Sequence, residues 1–304
     1  MQPFSITATL LATLMASMLA WRAHRRKSLT PAASVAAFAV GFLLIWTGLR
    51  GFNLLVFYFV AMQATKYKKD LKAKIDGTIA TQGTAIRGVS QVLACSLLAT
   101  LLSLWHAMAC GAERPIQFTV NTATSDVLAS QLTCAIIAHH ATCLADTLAS
   151  ELGILNKNPP VLITQPWKQV PSGTNGGVSW LGFVWSALGG GIIGISTVLL
   201  DLMSGVLAAT TESHLSKAAT RIVVFSTCCG LLGSILDSLL GATLQQSFYD
   251  PDSKMVFQEE DKRPEKAKLV AGVNLLTNEL VNVVSVALTC LLGGWVLGPM
   301  IFAS

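Results

Sequence analysis

Eight apolar stretches, near residues 4–21, 31–48, 51–65, 88–110, 127–145, 178–200, 219–240 and 279–301, occupy most of the chain and carry very few charges. Segments of roughly 20 apolar residues are long enough to span a bilayer. Lipid offers no partner to unpaired backbone N–H and C=O groups, so such segments must close their hydrogen bonds internally, as helices. The pattern therefore predicts an all-α polytopic transmembrane helical bundle of about eight helices, within a range of six to nine. The stretch at 51–65 is short, but Gly48-Leu49-Arg50-Gly51 puts a charge between two helix breakers and separates it from its predecessor. Only 12% of the 304 residues are charged and 52% are hydrophobic, against about 25% charged in an ordinary soluble domain. A soluble protein of this size would lack the charge to cover its surface.

The positions of the charges set an orientation. The first stretch has no basic residue before it and Arg22, Arg25, Arg26 and Lys27 after it, the reverse of a secretory signal peptide. It reads as a retained helix, so residues 1–30 form a first membrane helix with a basic loop and residues 31–304 a single transmembrane helical domain. With eight helices, the loops on one side hold all of the 21 Lys and Arg residues except Arg50, Arg114, Lys217 and Arg221. The richer loops include Lys66, Lys68, Lys69, Lys72, Lys74 and Arg87 after the third stretch, and Lys254, Lys262, Arg263, Lys266 and Lys268 before the last. Basic loops stay cytosolic, which places both termini on the other side. The net charge of +5 is then a matter of membrane orientation and calls for no nucleic acid. No retention or transit signal is evident, so the endoplasmic reticulum is the default membrane. The seven cysteines form no CxxC pair and mostly lie in apolar stretches, which points to neither a disulfide framework nor a metal cluster.

Against this background polar residues are informative, because an ionisable group inside membrane helices is costly and marks a site. Asp146 and Glu151 lie where the fifth stretch leaves the membrane and Asp237 where the seventh does, both on the cytosolic side. Two carboxylates from separate helices at one depth suit Mg²⁺, which takes few protein carboxylates and leaves positions for phosphate oxygens. Each acid also has a simpler reading, as a helix cap or the partner of an interfacial base. The loop Val170-Pro171-Ser172-Gly173-Thr174-Asn175-Gly176-Gly177-Val178-Ser179 leads directly into the sixth stretch. Glycines let amides approach an anion, and a helix N-terminus favours phosphate, although Thr-Asn-Gly-Gly is also an ordinary turn and no Walker lysine follows. Lys66 and Lys168 are candidates to meet phosphate charge, with attraction to anionic lipid headgroups as the alternative for the lysines after the third stretch. Asn278 and Asn282 share one helical face with Ser285 close by, for interhelical hydrogen bonds or for a site. His139 and His140 are adjacent, so they point about 100° apart; a hydrogen-bonded pair fits them better than a shared metal.

From about residue 31 onward the chain resembles the transmembrane protein 19 and phytyl-phosphate kinase family of integral membrane proteins. The resemblance rests on Thr65-Lys66-Tyr67-Lys68, on Asp146-Thr147-Leu148-Ala149-Ser150-Glu151-Leu152-Gly153, on the Val170–Ser179 loop, and on Gly233-Ser234-Ile235-Leu236-Asp237-Ser238-Leu239-Leu240-Gly241-Ala242-Thr243-Leu244-Gln245. The chain departs from the family pattern at Ala145, usually glycine, at Cys95-Ser96, usually Asn-Gly, and at Thr277-Asn278-Glu279, usually Asp-Asn-Asn. Plant and cyanobacterial members phosphorylate phytyl phosphate to the diphosphate, and the animal-type members are more like this chain. The resemblance implies a membrane lipid kinase passing a phosphoryl group from a CTP-like nucleotide to a polyprenyl monophosphate, with Mg²⁺. Asp146 and Asp237 would then serve the metal, Glu151 the metal or its surroundings, and Gly173, Thr174, Asn175, Gly176, Gly177 and Ser179 the nucleotide phosphates. A transporter or flippase for a small anion or lipid, or a scaffold without catalysis, are the alternatives.

Overall fold

A computed structural model describes residues 1–77, 87–118, 123–207, 212–258 and 263–303; Lys262, counted above among the basic loop residues, lies outside them. All eight apolar stretches fall on helices. Helix α1 (Ile6–Arg25) starts at Ser5, whose hydroxyl accepts from the Ala8 amide at 3.2 Å, and α2 (Pro31–Thr47) starts at Thr30 with proline at the first helical position. A 3₁₀ turn (Leu49–Phe52) joins α2 to α3 (Asn53–Lys66). The remaining helices are short α4 (Lys69–Lys72), α5 (Val89–Ala94), α6 (Leu97–Cys110), α7 (Thr124–Gly153), α8 (Trp180–Met203), α9 (Glu212–Leu244) and α10 (Asn278–Leu292), which runs through a π turn into α11 (Gly298–Phe302).

Among the described residues, five helical segments are long and apolar enough to cross a membrane, namely α1, α7, α8, α9 and the run from α10 to α11. The second and third stretches fold into α2 and α3, of 17 and 14 residues, and the fourth is divided between α5 and α6, of 6 and 14. The protein is thus a predominantly helical polytopic bundle, with fewer than eight full-length spans among the described residues. Helix α7 is its axis: 83% of its most apolar window is buried, against 22–39% in the other four spans. Helices α3, α6, α8, α9 and α10 all pack against it. Helix α1 lies along α2, turning Ala8, Ala12 and Ala16 inward while Ile6, Leu10, Leu14 and Met18 remain exposed, as a lipid-facing stripe would be.

Small residues set how closely the central helices approach. A Cβ placed at Gly189 of α8 would lie 2.6 Å from Ala145 Cα on α7, and one at Gly190 would lie 2.6 Å from Ser226 O on α9. Side chains at these positions would push the helices apart, which is why glycine serves there. Gly190→Val is expected to destabilise the protein by about 2 kcal/mol or more, the overpacking cost of added methyl groups in a close-packed interface. Thermal unfolding in detergent checks this, with Gly191→Ala, whose added Cβ would meet Thr227 Oγ1 at an ordinary 3.5 Å, as a reference of small effect.

Among the described residues, two small antiparallel sheets add to the helical bundle. Strands β1 (Val161–Leu162), β2 (Gln165–Gln169) and β3 (Gly177–Val178) form one in the order β2-β1-β3; β4 (Ser247–Asp250), β5 (Met255–Phe257) and β6 (Lys268–Ala271) form the other in the order β5-β4-β6. Both follow helix C-termini, and they lie at the end of the bundle that carries the basic loops. At this end the Arg87 amide donates to Ser28 O and the Thr30 amide to Arg87 O, both at 3.1 Å. The loop after α1 is thereby joined to the start of α5.

Arg50 departs from its sequence reading. It is 4% exposed, so it is no charge on a loop. Its guanidinium forks onto Asp201 of α8, donating from Nε at 2.7 Å and from Nη2 at 3.0 Å, and also donates to Thr133 Oγ1 at 3.0 Å and Arg114 O at 3.0 Å. Glu113 accepts from the Leu49 and Arg50 amides. This network ties α2, α3, α7 and α8 together at the end of the bundle opposite the basic loops.

Candidate functional site

The close packing of α7 and α9 determines where two acids meet. A Cβ at Gly230 of α9 would lie 3.0 Å from Ala145 Cβ, and Gly233 lies directly against Thr142. With the helices this near, Asp146 and Asp237, the next inward-facing polar positions toward the basic end, come into side-chain hydrogen-bonding contact. Ser285 of α10 adds a donor to Asp237 Oδ1 at 3.1 Å. Ala145 is accommodated because Gly189 faces its backbone and Gly230 its methyl group. Two carboxylates in contact repel one another unless a proton or a cation lies between them.

The acid pair opens into a pocket of about 370 Å³ at the basic end of the bundle, within the range of small-molecule sites. Its walls come from the last turns of α7, the 172–179 loop, the first turns of α8, the end of α9 and the start of α10. Asp146, Glu151, Asp237, Gly173, Thr174, Asn175, Gly176, Gly177, Ser179, Asn278 and Asn282 all line it. Helix α8 points its N-terminus at the pocket, capped by Ser179 accepting from the Gly182 amide at 3.1 Å. Thr277 caps α10 in the same way. Both termini contribute positive dipole ends.

Several expectations change on contact with the structure. Lys66 is exposed and outside the pocket, because α3 buries Phe57, Ala61 and Ala64 and residue 66 falls off that face. Lys168 stands on the fully exposed strand β2 and donates to Val270 O at 3.1 Å. The Gly-rich loop offers fewer amides than its composition suggests. Those of Thr174, Asn175 and Gly177 already donate to Pro171 O, Ser247 Oγ and Thr174 O, at 3.2, 3.0 and 2.9 Å. Gly176, at φ +72°, fits where a Cβ would lie 2.7 Å from Ser238 O, so this glycine lets the loop lie flat on α9. Asp146 and Glu151 lie within α7, which continues to Gly153. Glu151 is taken by Lys72, a lysine 1% exposed whose Nζ donates to Glu151 Oε2 at 2.5 Å and to the carbonyls of Ala64 and Thr65 at 3.0 and 2.8 Å. His139 and His140 meet edge to face, with centroids 5.1 Å apart, and not through a hydrogen bond; His139 Nε2 and both ring nitrogens of His140 have no hydrogen-bond partner.

Other lining residues escape a reading of single motifs. Arg87, Gln91, Asp76, Glu279 and the hydrogen-bonded pair Ser186–Ser234 (2.9 Å) all border the pocket. Its acids, Asp76, Asp146, Glu151, Asp237 and Glu279, face one lining cation, Arg87, among the described residues. No group of three or more His, Cys, Asp or Glu side chains stands at metal-binding spacing among the described residues. The Asp146–Asp237 pair fits an ion that keeps water or phosphate ligands.

Comparison with known proteins gives the chain its relatives. The family described as Integral membrane protein DUF92 matches residues 14–290. "Protein PGR" of Arabidopsis thaliana is 33% identical over 92% of this chain and 93% of its own length. An uncharacterized membrane protein of Synechocystis is 31% identical over 73% of this chain and 74% of its own. Another, of Methanocaldococcus jannaschii, is 32% identical over 36% and 39%. No solved structure matches the chain.

Proposed function

The chain belongs to the DUF92 family of integral membrane proteins, and we propose that it is a membrane lipid kinase acting on a polyprenyl monophosphate, in the manner of phytyl-phosphate kinases. The observation that carries this reading is the meeting of Asp146 and Asp237 in a pocket that also holds the 173–177 loop and the N-terminus of α8. Those elements are distant in sequence and share one chemistry, that of phosphate and a divalent ion. On this reading the pocket faces the cytosol, the side of the basic loops.

Asp146 and Asp237 would hold Mg²⁺, with Ser285 orienting Asp237. The ion, when bound, neutralises charge on the phosphates. The lipid head would lie in the pocket with its tail beside Phe57 and Ala61, and the nucleotide would enter from the cytosolic face. An oxygen of the lipid phosphate attacks the terminal phosphorus of the nucleotide, a new P–O bond forms, and the bond to the bridging oxygen breaks, releasing the nucleoside diphosphate. The attacking oxygen is already anionic, so the protein needs no general base. Positioning and charge neutralisation carry such a transfer. Glu151, held by Lys72, contributes a fixed wall and not a metal ligand.

Purified protein given prenyl monophosphates of several chain lengths, CTP or ATP, and Mg²⁺ is expected to yield the diphosphate. Absence of product at every chain length with both nucleotides rejects the activity. A second reading, a carrier for a small anion or lipid, draws on His139 and His140, whose unpartnered ring nitrogens lie further along α7 toward mid-bundle, where a carrier places its site. Uptake of labelled phosphate into proteoliposomes, abolished by His140→Ala, would favour it.

A further inference from the structure

Arg87 is fixed at its backbone and uncommitted at its side chain. Its N–H and C=O both bond to the loop after α1, at 3.1 Å to Ser28 O and from the Thr30 amide. Leu29 between them is 8% exposed and packs with Ala23, Ala33 and Val92, so the attachment is buried. The side chain, half-buried, lines the pocket and makes no hydrogen bond or ion pair among the described residues. A half-buried guanidinium facing the pocket keeps a planar fork of donors free for an anion, the geometry that matches phosphate oxygens in pairs. Of the lysines at the end of α3 and after it, Lys66 is exposed and Lys72 is consumed by a partner, and neither lines the pocket.

We infer that Arg87 is the pocket's anion anchor, donating its fork to the phosphate of a phosphate ester or diphosphate, and that the loop after α1 serves to hold it there. This rests on the reading of the pocket as a phosphate site and adds the residue that recognises the ligand's charge. A bidentate guanidinium matches two phosphate oxygens. It also explains why a hairpin of α1 and α2, packed at the rim of the bundle, reaches the site at all: its loop supplies the backbone partners of residue 87.

The test is calorimetric binding of pyrophosphate with Mg²⁺ to the full-length protein in phosphatidylcholine nanodiscs. Arg87→Ala is expected to weaken binding about 10- to 100-fold, the range for losing charge-assisted hydrogen bonds. Arg87→Lys is expected to retain part of the affinity, and Arg26→Ala, which removes an exposed charge from the neighbouring loop, none of the effect. Because the anchoring bonds are made by the backbone, truncating the side chain leaves them in place. Should Arg87→Ala lower the melting temperature by more than a few degrees, Arg87→Gln is read in its stead. Unchanged binding in the folded variant, or an equal loss in Arg26→Ala, overturns the inference while leaving the phosphate site standing. Failure of the wild type to bind pyrophosphate removes both. Adding phosphatidic acid to the nanodiscs separates the sources of phosphate: competition seen in the wild type and lost in Arg87→Ala assigns the lipid headgroup to Arg87, and no competition assigns it the soluble phosphate.

Discussion

Asp146→Asn is expected to lower phosphoryl transfer by about 10³-fold while leaving the protein folded. The estimate follows from losing part of the ion's charge stabilisation, which is worth several kcal/mol in the transition state. The same substitution should raise the melting temperature of the metal-free protein by about 2–4 °C, since it removes the cost of burying two acids that must share a proton when no cation is bound. Asp237→Asn should do the same, and the double variant little more, because the two carboxylates act as a unit. The pairing of lost activity with gained stability separates this account from one in which the aspartates only cap helices. In that case both substitutions would lower stability and spare activity. Measurement requires a product assay and thermal unfolding on the same preparations, with Mg²⁺ removed by chelation for the second.

The other large effect concerns the opposite end of the bundle. Arg50→Met should leave Asp201 buried without its partner, in a site where the two side chains are 5% and 1% exposed. Breaking a buried pair from one side costs about 3–5 kcal/mol, comparable to the whole stability of many domains. Most of the variant should aggregate on detergent extraction, and Asp201→Leu alone should behave alike. Combining the two replaces the pair by apolar groups and should recover much of the loss, as for other buried ion pairs. Size-exclusion chromatography of the two single variants and the double variant makes this a double-mutant cycle. Additive losses would show that Arg50 is held chiefly by Thr133 and Arg114 O and not by Asp201.

These two ends differ in how far the sequence reveals them. The apolar stretches disclosed the helices, and the polar exceptions at 146, 151, 173–179, 237, 278 and 282 are brought to one pocket, because each belonged to a run whose neighbours made it conspicuous. Asp201 sits just past the sixth apolar stretch, where an acid looks like the start of a loop; its partner is 151 residues away, a separation no local pattern spans. Lys72 was hidden in a basic run that reads as a membrane surface, yet α4 folds back so that its ammonium caps the last carbonyls of α3. Lys66 is the opposite case: it belongs to the same basic run, but helical phase turns it outward and away from the pocket. Arg87 counted only as one loop charge among several until its backbone bonds to residues 28 and 30 fixed its place. The boundary between α2 and α3 was legible, because Gly48 and Gly51 break the chain there, whereas the division of the fourth stretch at Cys95-Ser96 carries no comparable breaker.

The central claim is that the contact between Asp146 and Asp237 is a cation site serving phosphate. Soaking crystals of the protein with Mn²⁺ and pyrophosphate, and collecting at the manganese edge, tests it directly. One anomalous peak is expected between the two carboxylates, with pyrophosphate oxygens completing its coordination. A map with no peak there, or with manganese bound only at the exposed acids of the loops, would contradict it.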